Sequence, residues 1–170
     1  MQPTYPTRKT IRLPGYDYSK DGAYFITVCI HQRRCFLGNI VQDCMQLNGA
    51  GKMVQSFWNS IPTYYVGVSL DAFQIMPNHL HGILLFNRDT LSKEDRLPLS
   101  AIINRFKTIT TRQYIDGVRQ NTWRAFDEKL WQRNYYENII RNEEALYLAR
   151  EYIINNSKNW SKDKMYYTNA

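Results

Sequence analysis

Gln74-Ile75-Met76-Pro77-Asn78-His79-Leu80-His81-Gly82-Ile83-Leu84-Leu85-Phe86 is an apolar run, a two-residue break and a second apolar run. Strand side chains alternate faces, so the imidazoles of His79 and His81 project to one side and Leu80 to the other. Two histidines side by side on a rigid strand make a two-ligand metal platform. The alternative is a pair of half-buried strand histidines satisfied by hydrogen bonds. The pair alone does not choose between them. The Pro77-Asn78 break allows one long bent strand or two, and we expect a central strand that carries the histidines.

Upstream, Tyr24-Phe25-Ile26-Thr27-Val28-Cys29-Ile30 is aromatic and β-branched and reads as a central strand. A basic margin follows at Arg33 and Arg34, then a short strand at Asn39-Ile40-Val41. Asn48 is an N-cap opening a helix over 49–60, with Met53, Val54, Phe57, Trp58 and Ile61 at helical spacing and Pro62 closing it. Downstream, residues 87–98 form a polar, charged loop. Ser100 is a candidate N-cap for a helix over 101–115, whose apolar side is Ile102, Ile103, Phe106, Ile109 and Thr110 and whose basic side is Arg105, Lys107 and Arg112. Residues 116–129 read as a connection and 130–136 as a short edge strand. Asn142 caps a third helix, with Glu143 and Glu144 in the first turn where acids suit the macrodipole. That helix runs to Asn155 or Asn156. The order predicts an α+β fold, an antiparallel sheet with helices packed mainly on one face.

The chain has 170 residues, 44% of them hydrophobic and 14% aromatic, enough to bury the core of one domain and too apolar for disorder. Residues 1–22 form a lead-in and 157–170 a basic, aromatic tail. The net charge of +7 points to a polyanionic partner. No apolar run is long enough to span a bilayer, so nucleic acid is favoured over membrane. Three cysteines without Cys-x-x-Cys spacing suggest reduced thiols in a cytoplasmic protein. The basic excess is interleaved with Tyr and Trp, a pattern suited to nucleic acid.

In the last helix Tyr152 and Asn156 are one turn apart on one face. A tyrosine there is a core residue with a wet hydroxyl or a covalent nucleophile, and an Asn oxygen is a hard ligand for a divalent ion. The chain resembles the REP-associated tyrosine transposases, within the HUH group of single-tyrosine transposases. The resemblance rests on Tyr16-Asp17-Tyr18, Gly22-Ala23-Tyr24-Phe25-Ile26-Thr27-Val28, Met76-Pro77-Asn78-His79-Leu80-His81-Gly82 and Ile103-Asn104-Arg105-Phe106-Lys107. It continues through Trp131-Gln132-Arg133-Asn134-Tyr135-Tyr136-Glu137, Ile140-Arg141-Asn142-Glu143-Glu144 and Tyr152-Ile153-Ile154-Asn155-Asn156, in family order.

The resemblance implies a ferredoxin-like, HUH-type sandwich, His79, His81 and Asn156 as ligands of Mg²⁺ or Mn²⁺, and Tyr152 as nucleophile. The implied substrate is single-stranded or hairpin DNA, nicked and rejoined through a 5′-phosphotyrosine by a monomer or a homodimer. The family commonly has Pro directly after this Asn, where this chain has Ser157. For DNA contacts, Arg33, Arg34, Arg105, Lys107 and Arg112 are candidates to track the backbone. Trp131, Gln132, Arg133, Tyr135 and Tyr136 are candidates to stack on or position a base, with ordinary edge-strand packing the equal alternative for Trp131 and Tyr135. Competing readings are a non-catalytic nucleic-acid-binding module and a zinc hydrolase. The latter lacks a third strong zinc ligand and a positioned carboxylate.

Overall fold

A computed structural model describes residues 15–87, 89 and 91–166; the lead-in before Gly15 and the last four residues of the tail lie outside them. Among the described residues one sheet has four strands, β1 (Gly22–Cys29), β4 (Val68–Met76), β5 (His79–Phe86) and β6 (Tyr136–Ile140), in the order β4-β5-β1-β6. Every neighbouring pair is antiparallel. Taken in chain order these strands lie 2-3-1-4 across the sheet, the ferredoxin-like arrangement. A separate hairpin joins β2 (Gly38–Val41) and β3 (Cys44–Leu47).

The apolar stretch is two strands. Met76 pairs with His79, so Pro77-Asn78 is a two-residue turn, and β5 sits in the sheet interior beside β1. Leu80 and Leu84 of β5 and Tyr24, Ile26 and Val28 of β1 are fully buried in the core. Val54 and Trp58 of α1 (Gly49–Asn59) and Ile102, Ile103 and Phe106 of α3 (Leu99–Arg119) join the same cluster. Helices α1 and α3 therefore cover one face. Gly82 is required there, because a Cβ would run into the Trp58 indole. The opposite face carries His79 and His81, and α4 (Glu143–Ile154) lies across it.

Asn48 caps α1 by accepting from the Gly51 amide at 2.9 Å, and Asn142 caps α4 by accepting from Ala145 at 2.8 Å, both as expected. Several boundaries differ from expectation. Pro62 does not close α1; it stands in the first turn of a separate short helix α2 (Ile61–Tyr64), where its missing N–H costs nothing. Helix α3 starts after Pro98, with no side-chain cap from Ser100, and runs to Arg119 through Gly117, whose bare Cα admits the Trp123 ring. The edge strand is residues 136–140, not 130–136. Leu130 and Trp131 are buried, Trp131 forms a single bridge to Ile30, and the chain joins β1 only from Tyr136.

Candidate active site

The register places the histidines. Thr27 pairs with His81 and Cys29 with His79 across β1 and β5, so Thr27 and the two imidazoles share a face. His79 is 0% and His81 4% exposed. The Asn78 amide nitrogen donates to the carbonyls of Arg33 and Met165, each at 2.8 Å. Its oxygen is thereby left for His79 Nδ1, 2.8 Å away. An oxygen accepts, so His79 carries its proton on Nδ1 and turns the Nε2 lone pair outward. His81 Nδ1 is bonded to Thr27 Oγ1 at 2.8 Å. The Nε2 atoms of both rings are buried with no hydrogen-bond partner among the described residues. Desolvation pushes both imidazoles down to about 3, against the opposing pull of the Asn156 amide at His79 and of Asp163 at His81. They are neutral and free at Nε2, the state in which imidazole binds metal.

Helix α4 brings the other half. Arg150 donates to Asp71 through Nε at 2.8 Å and Nη2 at 2.6 Å, tying the helix to β4 where a register shift between Leu70 and Phe73 turns Asp71 out of the ladder. Two residues on, the Tyr152 ring lies 5.2 Å from His81 and 6.0 Å from Phe25, and the residue is half exposed. Its phenol is pushed up by burial first and by Asp163 second, with the Asn156 amide pulling the other way. The helix stops at Ile154, so Asn156 stands in the turn after it, buried, its side-chain oxygen within reach of no hydrogen-bond donor among the described residues.

Asp163 is the residue that sequence reasoning missed. Its carboxylate accepts from Asn156 Nδ2 at 2.9 Å, and one of its oxygens lies with a ring nitrogen of each histidine in a group no more than 4.8 Å across. Nothing marks it in the sequence, where it stands between Lys162 and Lys164 in a polar tail. Two imidazoles, a carboxylate and an amide oxygen, three of these residues with a buried orphan donor atom, form a donor set that fits a divalent ion. His79, His81, Tyr152 and Asn156 thus meet on one side of the sheet. Beside them a cleft of about 510 Å³ runs between β1, β6 and α4, lined by Phe25, Tyr136, Asn138, Leu148 and Tyr152.

The candidate DNA-contacting residues divide. Tyr136 is 45% exposed at the cleft. Arg112, Gln132 and Arg133 line a second groove of about 410 Å³ with Lys129. That groove is fastened next to the histidine strand by Gln132 N donating to Cys29 O and His31 N to Leu130 O, both 2.8 Å. Arg33 is exposed and donates to Lys164 O at 2.9 Å. Arg34 is paired with Asp127 at 2.9 Å. Arg105 lines a different cleft, with Phe57, Ile61 and Tyr65.

Three expectations are corrected. Trp131 and Tyr135 are core residues, 4% and 6% exposed, with little ring surface left for a base; Trp131 lines the floor of the second groove and its indole donates to Thr110 Oγ1 at 2.9 Å. Lys107 lines the same groove half-buried, but its ammonium is committed, donating to the carbonyls of Gln132 at 2.6 Å and Arg133 at 2.8 Å.

The fold is that of the tyrosine transposases. Solved structures that share the fold include two transposases. One is a REP-associated tyrosine transposase bound to a REP hairpin, with TM-score 0.59 and 20% identity over 87% of this chain and 73% of that one. The other is a putative transposase from Deinococcus radiodurans, with TM-score 0.52 and 17% identity over 85% of this chain and 95% of that one. An uncharacterized protein of Haemophilus influenzae is 38% identical over 174 aligned residues, covering 94% of this chain and 93% of that protein. The family profile described as "Transposase IS200 like" matches residues 23–156, and the chain belongs to that family.

Proposed function

We propose that the chain is a metal-dependent enzyme that nicks and rejoins single-stranded hairpin DNA through a 5′-phosphotyrosine on Tyr152. The observation that carries this reading is the half-exposed Tyr152 ring 5.2 Å from His81, beside two buried imidazoles with unpartnered Nε2 atoms.

In the forward step Tyr152 Oη attacks the scissile phosphorus. The Oη–P bond forms, the P–O3′ bond breaks, the phenolic proton leaves to solvent on the open side of the ring, and the 3′-oxygen takes up a proton. Attack by another 3′-hydroxyl reverses the step and joins strands, so the bond energy is kept in the phosphotyrosine. With a reference pKa near 10, forming the phenolate at pH 7 costs about 4 kcal/mol, and burial and Asp163 act to raise that cost. The site therefore needs positive charge. His79, His81 and Asn156 would hold a divalent ion, which supplies electrophilic charge to phosphate oxygens when bound. Asn78 and Thr27 fix the two rings, and the Asp71–Arg150 pair fixes the helix that carries the nucleophile.

Arg33, Arg112 and Arg133 follow the DNA backbone on the rim, and Gln132 and Tyr136 are left to position unpaired bases. The resemblance to a hairpin-bound relative supports a folded hairpin as substrate. Incubating a 3′-labelled single-stranded hairpin with the protein and Mn²⁺ is expected to give a labelled protein band stable to denaturing electrophoresis. Chasing with an unlabelled strand ending in a 3′-hydroxyl should release a longer labelled strand. Hairpin binding with no adduct in Mg²⁺ or Mn²⁺ would instead identify a binding module.

A further inference from the structure

Residues 157–166, following α4, fold back across the histidine face and are fastened there at several points. Asn78 Nδ2 holds Met165 O at 2.8 Å and Arg33 Nη1 holds Lys164 O at 2.9 Å. The Trp160 ring is buried 6.0 Å from His79, and Tyr166 packs on it at 5.4 Å. Between these anchors Asp163 N donates to Trp160 O at 3.0 Å, and its carboxylate faces the histidines and Asn156. A trailing tail would not need this much fastening on one spot.

Charge balance gives the placement a purpose. His79, His81 and Asn156 are neutral donors, all buried. A divalent ion taken from water into such a pocket loses its hydration, and neutral donors alone leave two positive charges uncompensated. Among the described residues Asp163 is the carboxylate grouped with the two histidines. Oδ2 accepts from Asn156 and Oδ1 from the Met165 amide at 2.6 Å. A carboxylate offers about four lone-pair sites, so both oxygens keep capacity for a cation.

We propose that Asp163, presented by the C-terminal segment, is the anionic ligand that completes the divalent-metal site begun by His79 and His81. The proposal rests on the metal reading above and adds a ligand from outside the strand and helix that define it. The segment is then part of the site.

The test measures Mn²⁺ affinity of the full chain from the free-ion electron paramagnetic resonance signal, with no DNA present. His79→Ala is expected to abolish binding. Asp163→Asn, which keeps an acceptor for Asn156, is expected to weaken it by at least about tenfold. Circular dichroism in EDTA checks folding, and Asp163→Ser, small and neutral, stands in with the same expectation if the amide variant is unfolded. In an Asn156→Ala background, Asp163→Ala should still cost about tenfold or more, as a direct ligand must.

If Asp163→Asn binds Mn²⁺ like the wild type while His79→Ala does not, Asp163 is no ligand and the histidine reading stands. If the Asp163→Ala effect vanishes in the Asn156→Ala background, Asp163 acts only by orienting that amide, and the proposal falls. If the wild type takes up no Mn²⁺ at millimolar concentration, the metal reading falls and takes this proposal with it.

Discussion

Asn78 illustrates how much one buried amide can determine. Both of its hydrogens are committed to carbonyls, so its oxygen sets the tautomer of His79 while its nitrogen anchors the C-terminal segment at Met165. Asn78→Ala should therefore weaken Mn²⁺ binding about 10- to 100-fold, the usual effect of removing a partner that orients a metal-ligating histidine. Asn78→Asp is a sharper probe. It keeps an acceptor for His79 Nδ1 but loses the donors to Arg33 O and Met165 O, so it should loosen the tail more than it disturbs the histidine. Hydrogen exchange of the amides at 163–166 checks this. Exchange faster than wild type in Asn78→Asp is expected, and unchanged exchange would separate the tail from the turn.

At the scale of elements, α4 is held to the sheet through the Asp71–Arg150 pair. The side chain of Asp71 is 11% exposed and that of Arg150 43%. With the Arg150 side of the pair open to solvent, breaking it should cost only about 1 kcal/mol of stability. The larger expected effect of Arg150→Ala is on nucleophile placement: the rate of adduct formation falls about tenfold or more while hairpin affinity stays within about twofold. Single-turnover adduct kinetics beside equilibrium binding separate the two. The hydrogen bonds from Arg150 hold the Asp71 carboxyl below its ordinary range. That stabilisation is complete above the unfolded value near 4 and is lost as pH falls through the lowered folded value. The gap in melting temperature between wild type and Asp71→Asn should accordingly narrow as pH drops from 7 toward 3. A gap independent of pH would contradict the pairing.

Legibility in the sequence also differs by element. Period-2 alternation at His79, Leu80 and His81 was enough to give their shared face, and single residues with local chemistry, Asn48 and Asn142, marked helix starts correctly. Segments whose structure depends on distant partners were not readable. Residues 130–136 look more strand-like than 136–140, yet Trp131 and Tyr135 are taken into the core and the weaker Glu137-Asn138 stretch pairs with β1. Cys44–Leu47 forms β3 only by pairing with β2. Tyr152 and Asn156 are singled out by the family resemblance, their one-turn spacing alone being weak evidence, whereas Asp163 reaches the histidines through a chain reversal with no local signal.

For the whole molecule, the charge of +7 acts through the exposed bases that are not already spent. Arg112 and Arg133 line an open groove, while the Lys107 ammonium is tied to two carbonyls and Arg34 to Asp127. Arg112→Ala and Arg133→Ala should each lower the slope of log affinity against log salt by roughly 1 for hairpin DNA. Lys107→Ala should leave that slope nearly unchanged and instead lower the melting temperature, because the 132–133 connection loses its anchor. Fluorescence anisotropy across a salt series, with thermal melts of the same variants, checks both.

The central claim is the identity of the nucleophile, and the point of attachment tests it most directly. Trypsin cutting after Arg150 and Lys158 isolates residues 151–158, in which Tyr152 is the one tyrosine. After reaction with a hairpin in Mn²⁺ and nuclease trimming, mass spectrometry should find the remaining 5′-phosphonucleotide on that peptide, on Tyr152, and nowhere in Tyr152→Phe. A nucleotide on any other residue, or an adduct that persists in Tyr152→Phe, would contradict the account.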